Sequence, residues 1–154
     1  PEQPDVPSFN AATVWTVGDS TVCSFNDIYY YPRYGWGTQL EHYFDSSLTV
    51  KNLALSGRSS KSYVQEEQYQ TLMQGMKAGD YLFVGFGHND EKADEGRYTN
   101  PNGNYLTEGS FANSLYVNYV KPAQEKGVTV VLCTPIVRRT ATGIWEFSST
   151  IIVP

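Results

Sequence analysis

An α/β fold with a central parallel sheet is predicted for this 154-residue chain. Three apolar runs are bounded by Gly, Asp or Pro, namely "TVWTV" (13–17), "YLFVGF" (81–86) and "VTVVLCTP" (128–135), and a fourth, "LTVKNLAL" (48–55), is weaker. Continuous β-branched and aromatic runs are typical of strands that are covered on both faces. Helical stretches alternate with these runs, which indicates right-handed crossovers. We therefore predict a flavodoxin-like three-layer α/β/α sandwich with strand order 2-1-3-4.

Three amphipathic stretches are predicted as the helices that cover this sheet. They are "GWGTQLEHYFD" (35–45), "QEEQYQTLMQGM" (65–76) and "FANSLYVNYVKPAQEKG" (111–127). Each places its aromatic and aliphatic residues on one side at a spacing of about 3.6 residues. Pro122 lacks the backbone N–H that a helix interior needs, so we expect the third helix to be kinked or split there.

Composition and charge exclude several classes of function. Hydrophobic residues make up 40% and aromatic residues 14% of the chain, which fits one ordered domain. A net charge of −5, with no basic cluster, argues against a nucleic-acid partner. No apolar run reaches the roughly 18 residues that span a bilayer, so no membrane association is expected. The polar start "PEQPDVPSFN" carries no signal-peptide pattern.

The two cysteines, Cys23 and Cys133, lack any metal-ligand spacing, so neither a metal site nor a cofactor is expected. In the predicted strand order the strands that lead to them are separated by a third. Their backbones would then lie roughly 9–10 Å apart, farther than a disulfide allows. We expect two free thiols.

Polar clusters follow each predicted strand. They are "GDST" (18–21), "NLALSGRSS" (52–60), "GHND" (87–90) and "TP" (134–135), the last followed by Arg138 and Arg139. Each cluster alone could be structural, since Asp19 or Ser20 could cap a helix and "GHND" could form a turn. Ligands of open α/β sheets bind at the carboxyl ends of the strands. Taken together, the clusters favour a serine hydrolase with Ser20 exposed at a helix N-terminus and N–H donors facing the developing oxyanion.

These motifs resemble blocks I, II and III of the SGNH (GDSL-type) hydrolases. The segments "GWG" (35–37), "GRSSKSY" (57–63) and "AGDYLFVGFGHND" (78–90) are closer still to the rhamnogalacturonan acetylesterases, and "TPIVRR" (134–139) is similar to their bacterial branch. The resemblance runs from about Val14 to Arg139. It implies an SGNH fold and a secreted serine esterase that removes acetyl groups from a pectic polysaccharide and needs no metal or cofactor.

Carried onto this chain, the resemblance makes Ser20 the nucleophile. The Ser20 backbone N–H, the Gly57 N–H and the Asn89 side chain would form the oxyanion hole. Asp19 and Asp90 would support the site, and Asp90 is better suited to bracing its loop than to attacking a substrate.

One departure concerns the family's last block, Asp-x-x-His, which supplies the general base. The chain has no histidine after His88 and no aspartate after Asp94. We therefore expect residues 1–154 to be a single SGNH domain that is truncated at its C-terminus, with a partner chain or a dimer covering the incomplete sheet. His42 lies on a predicted helix away from the site. His88 should face away if Asn89 faces the site, because adjacent strand residues point oppositely.

The substrate is predicted from the residues around the expected mouth. The run "YYYPRYGWG" (29–37) would place Tyr31 and Tyr34 against sugar rings. Arg58 and Arg138 could pair with uronate carboxylates of an acetylated polysaccharide. Two alternatives stay open: an SGNH lipase that acts on other acyl esters, and a catalytically incomplete sugar-binding fragment.

Overall fold

The computed structural model describes residues 11–26, 28–139 and 145–146, with the backbone alone at 138, 139, 145 and 146. Four parallel strands form the sheet in the order β2-β1-β3-β4. They are β1 (Thr13–Gly18), β2 (Thr49–Asn52), β3 (Tyr81–Gly85) and β4 (Thr129–Leu132). The predicted parallel sheet and its strand order are confirmed. A short antiparallel pair, β5 (Arg138–Arg139) and β6 (Trp145–Glu146), stands apart from this sheet.

The register of the sheet brings the predicted functional clusters to one edge. Gly18 at the end of β1 is opposite Gly85 at the end of β3. Thr16 of β1 is opposite Asn52, the last residue of β2. The segments that follow these three strands therefore leave the sheet side by side, as expected for a ligand site at the carboxyl ends.

The helices that cover one face are α1 (Glu67–Gly75), α2 (Phe111–Leu115) and α3 (Lys121–Glu125). A π-helical turn, Tyr116–Val120, joins α2 to α3, so the helix is split just before Pro122 as predicted. Pro122 has no N–H for the carbonyl oxygen of Asn118 in an α-helical pattern. The Tyr69 hydroxyl donates to that oxygen at 2.9 Å, which ties α1 to the interrupted helix.

The predicted helix over 35–45 is wrong. The segment forms two short 3-10 helices, Trp36–Thr38 and Leu40–Tyr43. Gly35, at the start of the segment, packs tightly against the chain that follows β1, because a Cβ at this position would lie 2.3 Å from the carbonyl carbon of Val22. The Gly35 N–H donates to the Cys23 carbonyl oxygen at 2.8 Å. The segment is thus held against the chain that follows β1 rather than wound into a regular helix.

The main core lies between the sheet and the three helices. Strand residues of β1 and β3 pack there against aromatic and aliphatic side chains of the helical layer, and the fully buried members include Val17, Tyr63, Leu72, Leu82, Tyr119 and Ala123. Burial of each large apolar side chain stabilises the fold by roughly 1.5–3 kcal/mol. This face of the sheet therefore fixes the strand positions on which the site depends.

Asp80 fixes the opposite, amino-terminal end of the sheet. Its buried carboxylate accepts hydrogen bonds from the Thr13 N–H at 2.9 Å, the Trp15 Nε1–H at 3.0 Å and the Lys77 ammonium at 2.7 Å. Burial alone would raise the pKa of Asp80, but these donors outweigh it and lower that pKa to about 2. The buried acid is therefore structural and lies at the end of the sheet remote from the strand-end clusters.

Cys23 and Cys133 are free thiols, as predicted. Burial raises the pKa of both, with the charge of Asp19 adding to the effect at Cys23. Within the described ranges, no helix combines the length and the apolar character needed to cross a membrane.

Candidate active site

Ser20 lies in a tight turn directly after β1. The N–H groups of Val22 and Cys23 both donate to the Asp19 carbonyl oxygen at 3.0 Å. The buried Asp19 carboxylate accepts from the Thr21 N–H at 2.8 Å and from the Thr21 hydroxyl at 2.7 Å. Asp19 thus caps the turn. The expected helix N-terminus at Ser20 is corrected to a single turn over residues 19–23.

Neighbouring segments hold this turn in place. The Asn52 side chain, at the end of β2, donates to the Val22 carbonyl oxygen at 2.9 Å. Its own oxygen accepts from the Ala54 N–H at 3.1 Å. On the other side, the Trp36 N–H donates to the Thr21 carbonyl oxygen at 2.9 Å. Asn52 was not predicted as a site residue, although an asparagine at the end of a strand is a signal that could have identified it.

The second loop carries Gly57 in the left-handed region at φ 78°, a conformation that glycine adopts without strain. Two residues on, Ser59 and Ser60 are fully buried. The Ser60 N–H donates to both oxygens of Asp90 at 3.1 Å, and the Ser60 hydroxyl lies 2.5 Å from Asp90 Oδ1. The loop after β3 therefore holds the loop after β2 through the carboxyl group of Asp90.

Asp90 is the central buried acid of these loops. Its Oδ1 also accepts from the Thr99 hydroxyl at 3.0 Å. Burial raises the pKa of Asp90 to about 6, the negative charge of Asp19 adds to this, and the hydrogen bonds from Ser60 and Thr99 act in the opposite direction. The contacts fit the bracing role expected for this residue.

Asn89 joins the same two loops at the surface of the site. Its side-chain nitrogen donates to the Arg58 carbonyl oxygen at 3.0 Å, and its oxygen lies 3.5 Å from Nη1 of Arg97. A carboxamide has two N–H groups, and the contact with Arg58 uses one. The second N–H is the group that can serve an acyl oxygen.

A cavity of about 680 Å³ brings the predicted chemistry together. Ser20 from the β1 turn and Asn89 from the β3 loop both line it, with Tyr34 on the side of the 3-10 segment. Gly57 does not line this cavity, but the carbonyl oxygen of its neighbour Arg58 accepts a hydrogen bond from the Asn89 side chain. Two residues missed as site residues also line this space, Arg33 and Lys92.

The other predicted substrate residues have different positions. Tyr31 is 82% exposed and does not line the cavity. The Arg58 guanidinium is directed to the Glu66 carboxylate at 2.8 Å and the Ser56 carbonyl oxygen at 2.9 Å. The side chain of Arg138 lies outside the described residues.

His88 does not face away from the site, contrary to the prediction. It lines the same cavity as Ser20 and Asn89. Strand alternation fails here because β3 ends at Gly85 and the chain turns, with the Asp90 N–H donating to the Gly87 carbonyl oxygen at 3.1 Å. Nε2 of His88 lies 2.7 Å from the Ile136 carbonyl oxygen, which can only accept, so Nε2 carries a proton.

Among the described residues, no group of histidine, cysteine and carboxylate side chains is arranged to hold a metal ion. The cavity brings together the hydroxyls of Ser20, Thr21 and Tyr34, the Asn89 amide, the His88 imidazole and two cations.

Comparison with known proteins agrees with this geometry. The model of the GDSL-like lipase/acylhydrolase family matches residues 14–146. The chain is 36% identical over 126 residues to the probable rhamnogalacturonan acetylesterase YesY of Bacillus subtilis, and 35% identical over 128 residues to the rhamnogalacturonan acetylesterase RhgT of the same organism. These alignments cover 81% and 82% of this chain, and 54% and 50% of the relatives. The chain thus spans about half the length of these curated relatives.

A solved structure is similar over the same region. The crystal structure of the protein YxiM from Bacillus subtilis matches with a TM-score of 0.71 at 27% sequence identity. The match covers 90% of this chain and 37% of that one.

Proposed function

The chain belongs to the GDSL-like lipase/acylhydrolase family, and from that premise we propose that it acts as a serine esterase that removes O-acetyl groups from a rhamnogalacturonan-type pectic polysaccharide. One observation carries the proposal: Ser20 and Asn89, from the ends of the adjacent strands β1 and β3, line the same cavity. The resemblance drawn from the sequence motifs agrees with this family membership.

In the proposed mechanism the Ser20 hydroxyl attacks the acetyl carbonyl carbon while a base takes the hydroxyl proton. The tetrahedral intermediate then expels the sugar oxygen, which receives that proton as it leaves. The acetyl group stays on Ser20 until water attacks it, releasing acetate and restoring the hydroxyl. No redox partner is needed.

The oxyanion of the intermediate is proposed to be held by the Ser20 N–H, the Gly57 N–H and the Asn89 side chain. The link between Asn89 and Arg58 supports this set, because it places the amide beside the loop that presents Gly57. The rigid turn around Asp19 limits the movement of Ser20. Donors fixed in advance act mainly on the transition state.

The general base is proposed to be the histidine of an Asp-x-x-His segment, as the resembled family uses. His88 shares the cavity, and its Nε2–H donates to the Ile136 carbonyl oxygen, so Nδ1 is the nitrogen of this ring that could accept a proton. We assign His88 a positioning role between the loop after β3 and the chain that follows β4, and the variants below test this against a role as base.

The proposed substrate class follows from the relatives and from the cavity. Two relatives at 35% and 36% identity bear the name rhamnogalacturonan acetylesterase. Tyr34 offers an aromatic face in the cavity, and Tyr29 and Tyr31 are exposed near it in sequence at 83% and 82%. Aromatic faces with polar edges suit sugar rings better than acyl chains.

The proposal is tested by measuring acetate released from acetylated rhamnogalacturonan, with 4-nitrophenyl acetate and 4-nitrophenyl palmitate as comparison esters. The chain is assayed as it stands and with an Asp-x-x-His segment joined after residue 154. We expect the extended protein to cleave the two acetyl esters and to leave palmitate untouched.

Ser20→Ala is the decisive variant, and Ser24→Ala, at an exposed position beyond the turn, is its matched control. Ser20→Ala should lower esterase turnover by several orders of magnitude. Retention of more than a few per cent of activity would refute the nucleophile. Preferential cleavage of palmitate would instead favour a lipase of the same family.

A further inference from the structure

The cavity around Ser20 is cationic in an acidic protein. The chain has 16 acidic and 11 basic residues, a net charge of −5. Yet Arg33 and Lys92 line this cavity and no Asp or Glu side chain of the described residues does so. Charge of one sign concentrated in a cleft raises the local concentration of ligands of the opposite sign.

Neither cation has a carboxylate partner among the described residues. In the described part of the chain, carboxylates within 4 Å are found for Arg58, Lys77 and Arg97, but not for Arg33 or Lys92. A cation with no internal partner beside a proposed nucleophile is available to a ligand.

Arg33 is held in position by aromatic rings instead of by an acid. Its guanidinium lies over the Phe25 ring at 5.5 Å, and Phe25 packs against Tyr30 with ring centroids 5.2 Å apart. The Arg33 N–H also donates to the Tyr30 carbonyl oxygen at 2.7 Å. Stacking on a ring orients the planar group while leaving its N–H donors unused.

Lys92 stands next to the proposed oxyanion donor. Its backbone N–H donates to the Asn89 carbonyl oxygen at 3.1 Å, one turn further along the third loop. Lys92 also lines an adjoining cavity of about 430 Å³, whose lining includes Tyr98 and Pro101 and the acidic residues Asp90 and Glu91. Lys92 therefore lies between the Ser20 cavity and a second space, and it is the Ser20 cavity that is free of acidic side chains among the described residues.

We propose that Arg33 and Lys92 are the residues that recognise carboxylate groups of the substrate, binding uronate units next to the acetyl ester. The proposal rests on the function proposed above and names residues different from those expected from sequence, since Arg58 is already paired with Glu66. Arg33 suits a two-pronged contact with one carboxylate, and Lys92 acts as a point charge.

The test measures binding, so that it does not depend on turnover. Unacetylated tetragalacturonate is titrated into the 154-residue chain by calorimetry at low and moderate salt. Arg33→Gln and Lys92→Gln should each weaken binding on the order of tenfold, as loss of a charged hydrogen bond predicts. Binding to the unaltered chain should also weaken as salt is added.

The matched control is Lys126→Gln, which removes an exposed cation just beyond α3. It should bind tetragalacturonate as the unaltered chain does. Equal binding by Arg33→Gln, Lys92→Gln and Lys126→Gln would overturn the proposal, and so would equal binding of a neutral tetrasaccharide of the same length. Circular dichroism of each variant checks that the fold is kept.

A separate readout distinguishes this inference from the proposed function. Cleavage of the neutral ester 4-nitrophenyl acetate by the unaltered protein, with an Asp-x-x-His segment present, is measured as that readout. If no ester is cleaved while tetragalacturonate still requires both cations, the esterase proposal fails and the carboxylate site stands. If esters are cleaved and the loss of either cation leaves tetragalacturonate binding unchanged, the carboxylate site fails and the esterase proposal stands.

Discussion

The side-chain nitrogen of Asn89 donates to the carbonyl oxygen of Arg58 at 3.0 Å. This one contact joins the loop after β3 to the loop that carries Gly57, and it orients an amide that also lines the Ser20 cavity. A hydrogen bond therefore links the two loops that carry the proposed oxyanion donors Asn89 and Gly57. Loss of Asn89 removes both a donor and the brace that positions its neighbour.

Asn89→Ala should lower kcat far more than it changes KM for an acetyl ester, measured on the protein extended with an Asp-x-x-His segment. Removal of one oxyanion donor costs about 10²–10³-fold in kcat. Loss of the bond to Arg58 should also lower the free energy of unfolding by about 1 kcal/mol. Asn102→Ala, at an exposed position, is the control. A tenfold rise in KM with kcat unchanged would show that Asn89 contacts the ground state.

Gly35→Ala should destabilise the fold and lower activity together. The new Cβ would lie 2.3 Å from the Val22 carbonyl carbon and 2.6 Å from the Cys23 nitrogen, and backbone atoms cannot move aside easily. Overpacking of this kind costs typically about 1–3 kcal/mol, and here it displaces the turn that bears Ser20. Urea unfolding and esterase assays measure the two effects.

Gly96→Ala is the matched control for that substitution. Its Cβ would approach only the flexible side chain of Asp94, at 3.6 Å, without a positive φ to strain the backbone. It should leave both unfolding and activity unchanged. If Gly35→Ala behaved in the same way, the segment 35–37 would not be holding the nucleophile turn.

The sheet and its polar edge could be predicted from sequence because they depend on local signals. Continuous apolar runs marked β1, β3 and β4, and the glycine, serine and asparagine clusters followed at their ends. The conformation of segment 35–45 could not be predicted, because its apolar residues have the spacing of an α-helix. The close packing of Gly35 against Val22 is a contact between distant elements that becomes visible only in the folded chain.

The orientation of side chains beyond the strand ends could also not be predicted from the sequence. His88 follows Gly85 by only three residues, but the turn over 87–90 cancels the alternation on which its predicted direction depended. Likewise, the sequence did not reveal that the Arg58 guanidinium pairs with Glu66, eight residues on. Arg33 and Lys92 were missed because loops far apart in sequence meet around the Ser20 cavity.

Asp90 should make the chain less stable as the pH rises from about 4 to about 6. Burial raises the pKa of this carboxyl in the folded state to about 6, above its unfolded value near 4. The folded state thus binds the proton more tightly, and this contribution to stability is present below pH 4 and lost as the pH passes 6. Its size is roughly 3 kcal/mol from a shift of about two units.

Urea unfolding between pH 4 and 7 measures this dependence, with Asp90→Asn for comparison. Asp90→Asn should be less stable overall, because the asparagine NH2 group cannot accept the hydrogen bond that one Asp90 oxygen accepts from the Ser60 N–H. Its stability should, however, vary less with pH. Asp80, whose pKa is lowered to about 2, contributes the opposite slope, and only below pH 4. An equal pH dependence in Asp90→Asn and the unaltered chain would contradict the assignment to Asp90.

His88 should act as a positioning residue and not as the general base. Its Nε2–H is donated to the Ile136 carbonyl oxygen at 2.7 Å, so His88→Asn, which keeps an N–H donor, should preserve most of the esterase activity of the extended protein. His88→Ala should lower stability by about 1 kcal/mol through the lost bond.

Without an Asp-x-x-His segment, the 154-residue chain should show only the residual catalysis of the oxyanion hole and binding, roughly 10³–10⁴-fold over water. Rates on 4-nitrophenyl acetate, with and without the added segment, decide the matter. Full activity of the chain alone, abolished by both His88→Ala and His88→Asn, would identify His88 as the base.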